Sequence, residues 1–127
     1  MKTEDEFTIC HDTSKKTLAI PRAALQLSGL EDAERLTLHA GHGCVVLTRQ
    51  EPSAAELLSA VHLLHDRAVH FITLLALKSH GAKELPHSKL RNPLQRYDSA
   101  YLSMLEHCGV ELDRLGCLLS QEANKHG

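Results

Sequence analysis

The feature that most constrains the fold is the shortness of the β-strands predicted before Pro52. Four short runs rich in apolar and β-branched residues are typical of strands: Phe7–Cys10, Thr17–Ile20, Leu36–His39 and Cys44–Leu47. Strands of four residues, interrupted by a short helix, cannot bury both faces within one chain of this size. The sequence therefore predicts that this part of the chain needs a partner to complete its core.

Local signals place turns between these strands. Asp12–Lys15 has the composition of a turn, and Pro21 suits the first turn of a short helix that ends before Gly29. Ala40–Gly43 contains two glycines that can supply the positive φ angles of a tight hairpin. The predicted order is strand, strand, short helix, strand, strand.

The segment from Lys16 to Leu30, KTLAIPRAALQLSGL, resembles the signature of the AbrB/MazE/SpoVT superfamily. A strand ends in Ile-Pro, a short helix follows, and Gly-Leu closes the helix. The acidic turn Glu31-Asp32, an apolar strand, a glycine-containing turn and a last strand extend the resemblance over about residues 6–50. It implies an intertwined dimer with a swapped-hairpin β-barrel, and a dimerisation and DNA-binding domain over residues 1–51.

The resemblance also implies which residues contact double-stranded DNA. In the family, basic residues lie around the turn before the second strand and around the short helix, and the matching positions here are Lys15, Lys16 and Arg22. Leu25-Gln26 stands where some members carry paired arginines, and Ala19 where MazE-like members have a basic residue. The first 52 residues contain 6 Lys and Arg against 8 Asp and Glu, so phosphate contacts are few.

After Pro52 the sequence is helical in pattern, and residues 52–127 are predicted to form a C-terminal domain. Ser53 and Glu56 form a capping box that starts a helix running to His80. Further helices are predicted from Asn92-Pro93 to Cys108 and over Val110–Ala123. The expected fold is therefore α+β, with an N-terminal swapped-hairpin barrel and a three-helix C-terminal region.

The apolar positions of these helices predict their buried faces. The first helix carries one stripe through Leu57, Val61 and Leu64 and a second through Leu63, Leu74 and Leu77, so we expect it to be covered on two sides. In the later helices the expected inward positions are Leu94, Tyr97, Tyr101, Leu105, Leu112, Leu115, Leu118 and Leu119.

A metal site on the first long helix is left open by the sequence. His62, Asp66 and His70 follow one another at intervals of four residues, so they line one face. Imidazole and carboxylate at this spacing could hold zinc or nickel, or could form a polar stripe in water. No cofactor is predicted, and the absence of hydrolase, phosphate-loop or zinc-protease motifs indicates that the chain is not an enzyme.

Cysteine use and hydropathy bear on location. Cys10, Cys44, Cys108 and Cys117 show no CxxC spacing and are expected as small buried side chains in a reducing compartment. An acidic, polar start and the lack of an uninterrupted apolar run of about 20 residues predict a cytoplasmic protein without a membrane partner.

Two functions remain open at this point. The first is a DNA-binding transcriptional regulator that acts as a homodimer or a higher homo-oligomer. Its C-terminal helices would oligomerise, sense a signal or bind a protein partner. The second is a protein-interaction module, of antitoxin or scaffold type, whose swapped dimer is an assembly core without DNA binding. The net charge of −2 and the two-sided apolar helix favour the second.

Overall fold

The computed structural model describes residues 6–81 and 93–126. The chain divides into two compact units, Met1–Leu63 and Leu64–Gly127, and the division falls inside a long helix, beyond the predicted boundary after residue 51. The fold class is α+β, as predicted at this coarse level. In the described part it comprises one two-stranded antiparallel sheet, four α-helices and a 3-10 turn.

The N-terminal unit contains a short helix and a hairpin. Helix α1 spans Arg22–Ser28, and strands β1 (Leu36–Gly41) and β2 (Cys44–Arg49) pair antiparallel with Leu36 opposite Arg49 and Gly41 opposite Cys44. The two-residue loop His42-Gly43 has its positive φ, 81°, at Gly43, the arrangement of a type II turn. The prediction of this hairpin is confirmed, with each strand two residues longer than expected.

The two earlier strands are not part of any described sheet. Phe7–Cys10 and Thr17–Ile20 have no regular secondary structure, so their prediction as strands is wrong for the single chain. A strand is defined by its hydrogen-bonded neighbour, and the local β-propensity of these segments provides none. The turn predicted between them is present at Asp12–Lys15, where the amide of Lys15 donates to the carbonyl of Asp12 at 3.0 Å.

Glycine ends α1 as the sequence predicts. Gly29 has φ 73°, its amide donates to the carbonyl of Gln26, and the amide of Leu30 donates to the carbonyl of Leu25. These two bonds form a Schellman motif, which satisfies carbonyls that a helix end otherwise leaves open. The helix is therefore closed by local sequence.

Helix α2 spans Ala54–Gly81 and crosses from one unit into the other. Its predicted start and end are confirmed to within one residue. By length and average composition it would also be able to cross a membrane. Asp66 and Arg67 lie at its middle, however, where charged side chains are costly in a bilayer. The position of these two charges argues against a membrane span.

The C-terminal unit places its core around the last two helices. Pro93–Arg96 forms a 3-10 turn, α3 spans Ser99–His107 and α4 spans Leu112–His126. Among the described residues, the buried apolar side chains are Leu94, Leu105, Val110 and Leu115, and the half-buried side chains packed against them include Ile72, Leu75, Ala76, Leu102, Leu112 and Leu119. The apolar pattern correctly placed Leu94, Leu105 and Leu115 inside.

The single helix predicted from Asn92-Pro93 to Cys108 is wrong, as is its inward placement of two tyrosines. Asp98 interrupts the run, because its carboxylate accepts the amide of Tyr101 at 2.7 Å and so begins α3 as an N-cap. Tyr97 and Tyr101 are 41% and 42% exposed and lie against each other, with ring centroids 5.4 Å apart. Asn92 lies outside the described residues.

Candidate nucleic-acid interface

The two lysines implied as DNA contacts lie at the end of the first turn. The carboxylate of Asp12 accepts the hydroxyl of Ser14 at 2.6 Å and its amide at 3.0 Å. These two hydrogen bonds hold the pKa of Asp12 below its usual value, and the bond from the hydroxyl has the larger effect. Lys15 and Lys16 follow directly and are exposed, so both ammonium groups are accessible.

The third implied contact, Arg22, is the first residue of α1. Its side chain is 81% exposed, and one guanidinium nitrogen lies 3.8 Å from a carboxylate oxygen of Glu31. Glu31 belongs to the acidic turn that follows α1. Both side chains of the pair are exposed, so Arg22 is accessible to a phosphate. The neighbouring carboxylate of Glu31 partly offsets its positive charge.

A more ordered polar group in the N-terminal unit is built around Arg49, the last residue of β2, which the sequence did not single out. Its Nη2 donates to the carbonyl of Gly29 at 2.7 Å and lies 3.7 Å from Asp32, and its Nε donates to Glu56 at 3.0 Å. Arg49 thus joins the end of α1, the acidic turn and the first turn of α2 to strand β2.

The capping box predicted at the start of α2 is present and is part of this group. The amide of Ser53 donates to Glu56 at 2.9 Å, and the amide of Glu56 donates to the Ser53 hydroxyl at 3.2 Å. The hydrogen bond from the Ser53 amide holds the pKa of Glu56 below its usual value, and the hydrogen bond from Arg49 makes the next largest contribution. Glu56 in turn raises the pKa of Arg49. The capping box could be read from spacing, but the arginine could not, because its partners are distant in sequence.

An apolar groove of about 370 Å³ lies beside this ion pair, within the N-terminal unit. Side chains from α1, β2 and the start of α2 line it, among them Leu27, Leu30, Leu47, Leu57 and Leu63. The groove is open, and Arg49 and Glu56 form part of its wall. Leu27, Leu57 and Leu63 of its lining are 42–52% exposed, so the groove is uncovered in the single chain.

The histidines and cysteines form no described metal centre. Across residues 6–81 and 93–126, no group of three or more His, Cys, Asp or Glu is arranged to hold a metal ion. His62 and His70 are exposed and Asp66 is half-buried. Cys10, Cys44 and Cys108 are free thiols and are exposed, so their expected burial is wrong. No protein-family model, curated protein or solved structure matches the chain.

Proposed function

We propose that this chain is a DNA-binding transcriptional regulator of the AbrB type that acts as an intertwined homodimer through its N-terminal unit. The observation that carries the proposal is the lack of a core in that unit. Within residues 6–63, no side chain is buried. A folded domain needs buried apolar surface to offset its loss of conformational entropy.

The apolar side chains that would build this core are present but uncovered. Those before α2 are between 39% and 61% exposed: Phe7, Ile9, Leu18, Ile20, Leu27, Leu38 and Val45. Phe7–Cys10 and Thr17–Ile20 also lack a described strand partner. A second copy would supply both the missing strands and the missing cover, and this is how the resembling family closes its barrel.

DNA binding is supported by the exposure of Lys15, Lys16 and Arg22 together with the family resemblance. A two-fold axis doubles the three residues to six cationic groups. If all six contact phosphates, the logarithm of affinity should fall with the logarithm of salt concentration with a slope of about −5. This slope separates phosphate binding from apolar association, which salt does not weaken.

The test uses the full chain and a fluorescent random-sequence DNA duplex, with anisotropy measured at several salt concentrations. We expect the variant Lys15→Glu/Lys16→Glu/Arg22→Glu to lose measurable binding at low salt. Arg35→Glu is the control, since it reverses another exposed charge of the same unit and should keep most of the affinity. Equal binding by the triple variant and the wild type would reject these residues as the DNA contacts.

The dimer is tested separately by light scattering. We expect the wild type to have at least twice the mass of one chain, and Leu18→Asp/Ile20→Asp to reduce that mass. Both side chains are almost half exposed in the single chain, so the substitutions create no buried charge there. A wild type that is monomeric at micromolar concentration would overturn the proposed dimer.

The second candidate, a protein-interaction module without DNA binding, is favoured by the ion pair between Arg22 and Glu31. A carboxylate at 3.8 Å reduces the positive field of one of only three implied DNA contacts. This candidate is preferred if anisotropy shows no salt-sensitive binding while the protein remains dimeric.

A further inference from the structure

We propose that α2 pairs with α2 of a second copy in antiparallel orientation, along the face formed by Leu64, Arg67, Phe71 and Leu74. These residues repeat at intervals of three and four, so Leu64 of the first predicted stripe and Leu74 of the second lie along one side of the helix. All four belong to the C-terminal unit. The pairing is a second homotypic contact, separate from the dimer proposed for the N-terminal unit.

This face of α2 is uncovered in the single chain. Leu64, Phe71 and Leu74 are 47%, 58% and 43% exposed. A neighbouring face of the same helix is covered instead, where Ile72 and Leu75 pack against the core of the C-terminal unit. A helix that is apolar on more than one face is normally covered on each of them. We therefore expect another helix to cover this face.

The order of residues along the face identifies that helix as another α2. When two copies run antiparallel about a centre at residue 69, Leu64 lies opposite Leu74 of the second copy, and Arg67 lies opposite Phe71. Leucine then meets leucine, and the guanidinium lies against an aromatic ring, a favourable contact for a cation. The face is thus complementary to itself, as an isologous interface requires.

The parallel orientation is disfavoured by the same residues. In a parallel pair every position meets its own copy, so Arg67 would lie against Arg67 in the middle of an apolar face. Two guanidinium groups side by side repel each other, and neither would gain an aromatic ring or a carboxylate as a partner across the interface. The antiparallel register separates the two arginines and gives each one an aromatic neighbour.

The pairing predicts a concentration-dependent association. The face has four side chains on each helix, far fewer than the roughly 20 residues a side of a standard interface, so we expect assembly at micromolar concentration. Together with the N-terminal dimer, two distinct isologous contacts would give a closed tetramer if their two-fold axes cross at right angles. The tetramer rests on that proposed dimer, whereas the α2 pair does not.

The first experiment measures the mass of the full chain by light scattering at low and high micromolar concentration. We expect Phe71→Asp/Leu74→Asp to halve the mass found for the wild type at high concentration. Val69→Asp is the matched control, because Val69 is 51% exposed on the opposite side of α2 and should leave the mass unchanged. Circular dichroism verifies that the variants remain helical. An unchanged mass for Phe71→Asp/Leu74→Asp overturns the proposal.

Two further variants test the orientation. Leu64→Glu/Leu74→Lys places a carboxylate opposite an ammonium group in an antiparallel pair, but places like charges opposite each other in a parallel pair. We expect this variant to retain more of the wild-type mass than Leu64→Glu/Leu74→Glu, which places like charges opposite each other in both orientations. Equal loss of association by the two variants would overturn the antiparallel register.

The N-terminal variant Leu18→Asp/Ile20→Asp distinguishes failure of one proposal from failure of the other. If both contacts exist, each of the two double variants halves the mass and their combination is monomeric. If only the α2 pair exists, the wild type is a dimer and only Phe71→Asp/Leu74→Asp dissociates it. If only the N-terminal dimer exists, only Leu18→Asp/Ile20→Asp dissociates the protein, and the α2 pair is rejected.

Discussion

The hydroxyl of Ser79 accepts a hydrogen bond from the backbone amide of Glu111 at 3.0 Å, and Ser79 is completely buried. The same hydroxyl donates to the carbonyl of Ala76 at 2.8 Å. The carbonyl of Glu111 in turn accepts the amide of Leu115 in the first turn of α4. A side chain near the end of α2 therefore accepts a hydrogen bond from the backbone amide of the residue just before α4, 32 positions later in the sequence.

Replacement of Ser79 by alanine should destabilise the C-terminal unit. The amide of Glu111 would lose its buried acceptor, which costs about 1–3 kcal/mol. Urea unfolding followed by circular dichroism measures this change. Ser103→Ala, at an exposed position of α3, is the control and should change stability by less than about 0.5 kcal/mol. Equal unfolding midpoints for the two variants would contradict the role assigned to Ser79.

Replacement of Glu56 by glutamine should make stability less dependent on acid pH. The folded state lowers the pKa of Glu56, so this carboxylate stabilises the fold at pH values above its ordinary pKa. That contribution disappears as the pH falls through the lowered pKa. We therefore expect Glu56→Gln to be less stable than the wild type at neutral pH, with the difference vanishing in acid. Thermal unfolding across this range tests the sign, and a difference that grows in acid would contradict it.

Replacement of Gly29 by alanine should weaken the end of α1. Alanine at φ 73° costs about 1–2 kcal/mol, because its Cβ crowds the backbone in the left-handed region. No atom lies within 4 Å of the new Cβ, so the cost comes from the backbone alone. Gly81→Ala provides the opposite sign, since Gly81 ends α2 without a positive φ and alanine at such a position stabilises by about 0.4–1 kcal/mol through the unfolded chain. Urea midpoints that move in the same direction for both variants would refute this account.

Replacement of Glu31 by glutamine should strengthen DNA binding if Arg22 contacts phosphate. The exposed ion pair at 3.8 Å holds Arg22 with at most about 1 kcal/mol, so releasing it should raise affinity by up to about fivefold. Anisotropy with the random-sequence duplex measures the effect. Glu34→Gln removes the same charge from another exposed position in this turn region. If Glu34→Gln raises affinity as much as Glu31→Gln, the gain reflects net charge and the specific role of the ion pair is rejected.

Signals between near neighbours in the chain predicted much of the local structure. The capping box of Ser53 and Glu56, the glycine end of α1 and the hairpin between β1 and β2 are confirmed. Each depends on residues only a few positions apart, whose conformational preferences act without the rest of the fold. The candidate DNA contacts Lys15, Lys16 and Arg22 were named from a family resemblance, and their exposure is compatible with that role.

The sequence by itself therefore determined the start of α2, the end of α1 and the turns at Asp12–Lys15 and His42-Gly43, because caps and turns are satisfied by adjacent backbone. Only the tertiary structure decided that Ser79 is buried beneath the start of α4, that Arg49 joins three elements, and that Tyr97 and Tyr101 remain half exposed. These features depend on groups far apart in sequence meeting in space. The proposed pairing of Phe7–Cys10 and Thr17–Ile20 in a dimer also depends on groups far apart, since a strand forms only where a second strand provides its hydrogen-bond partners.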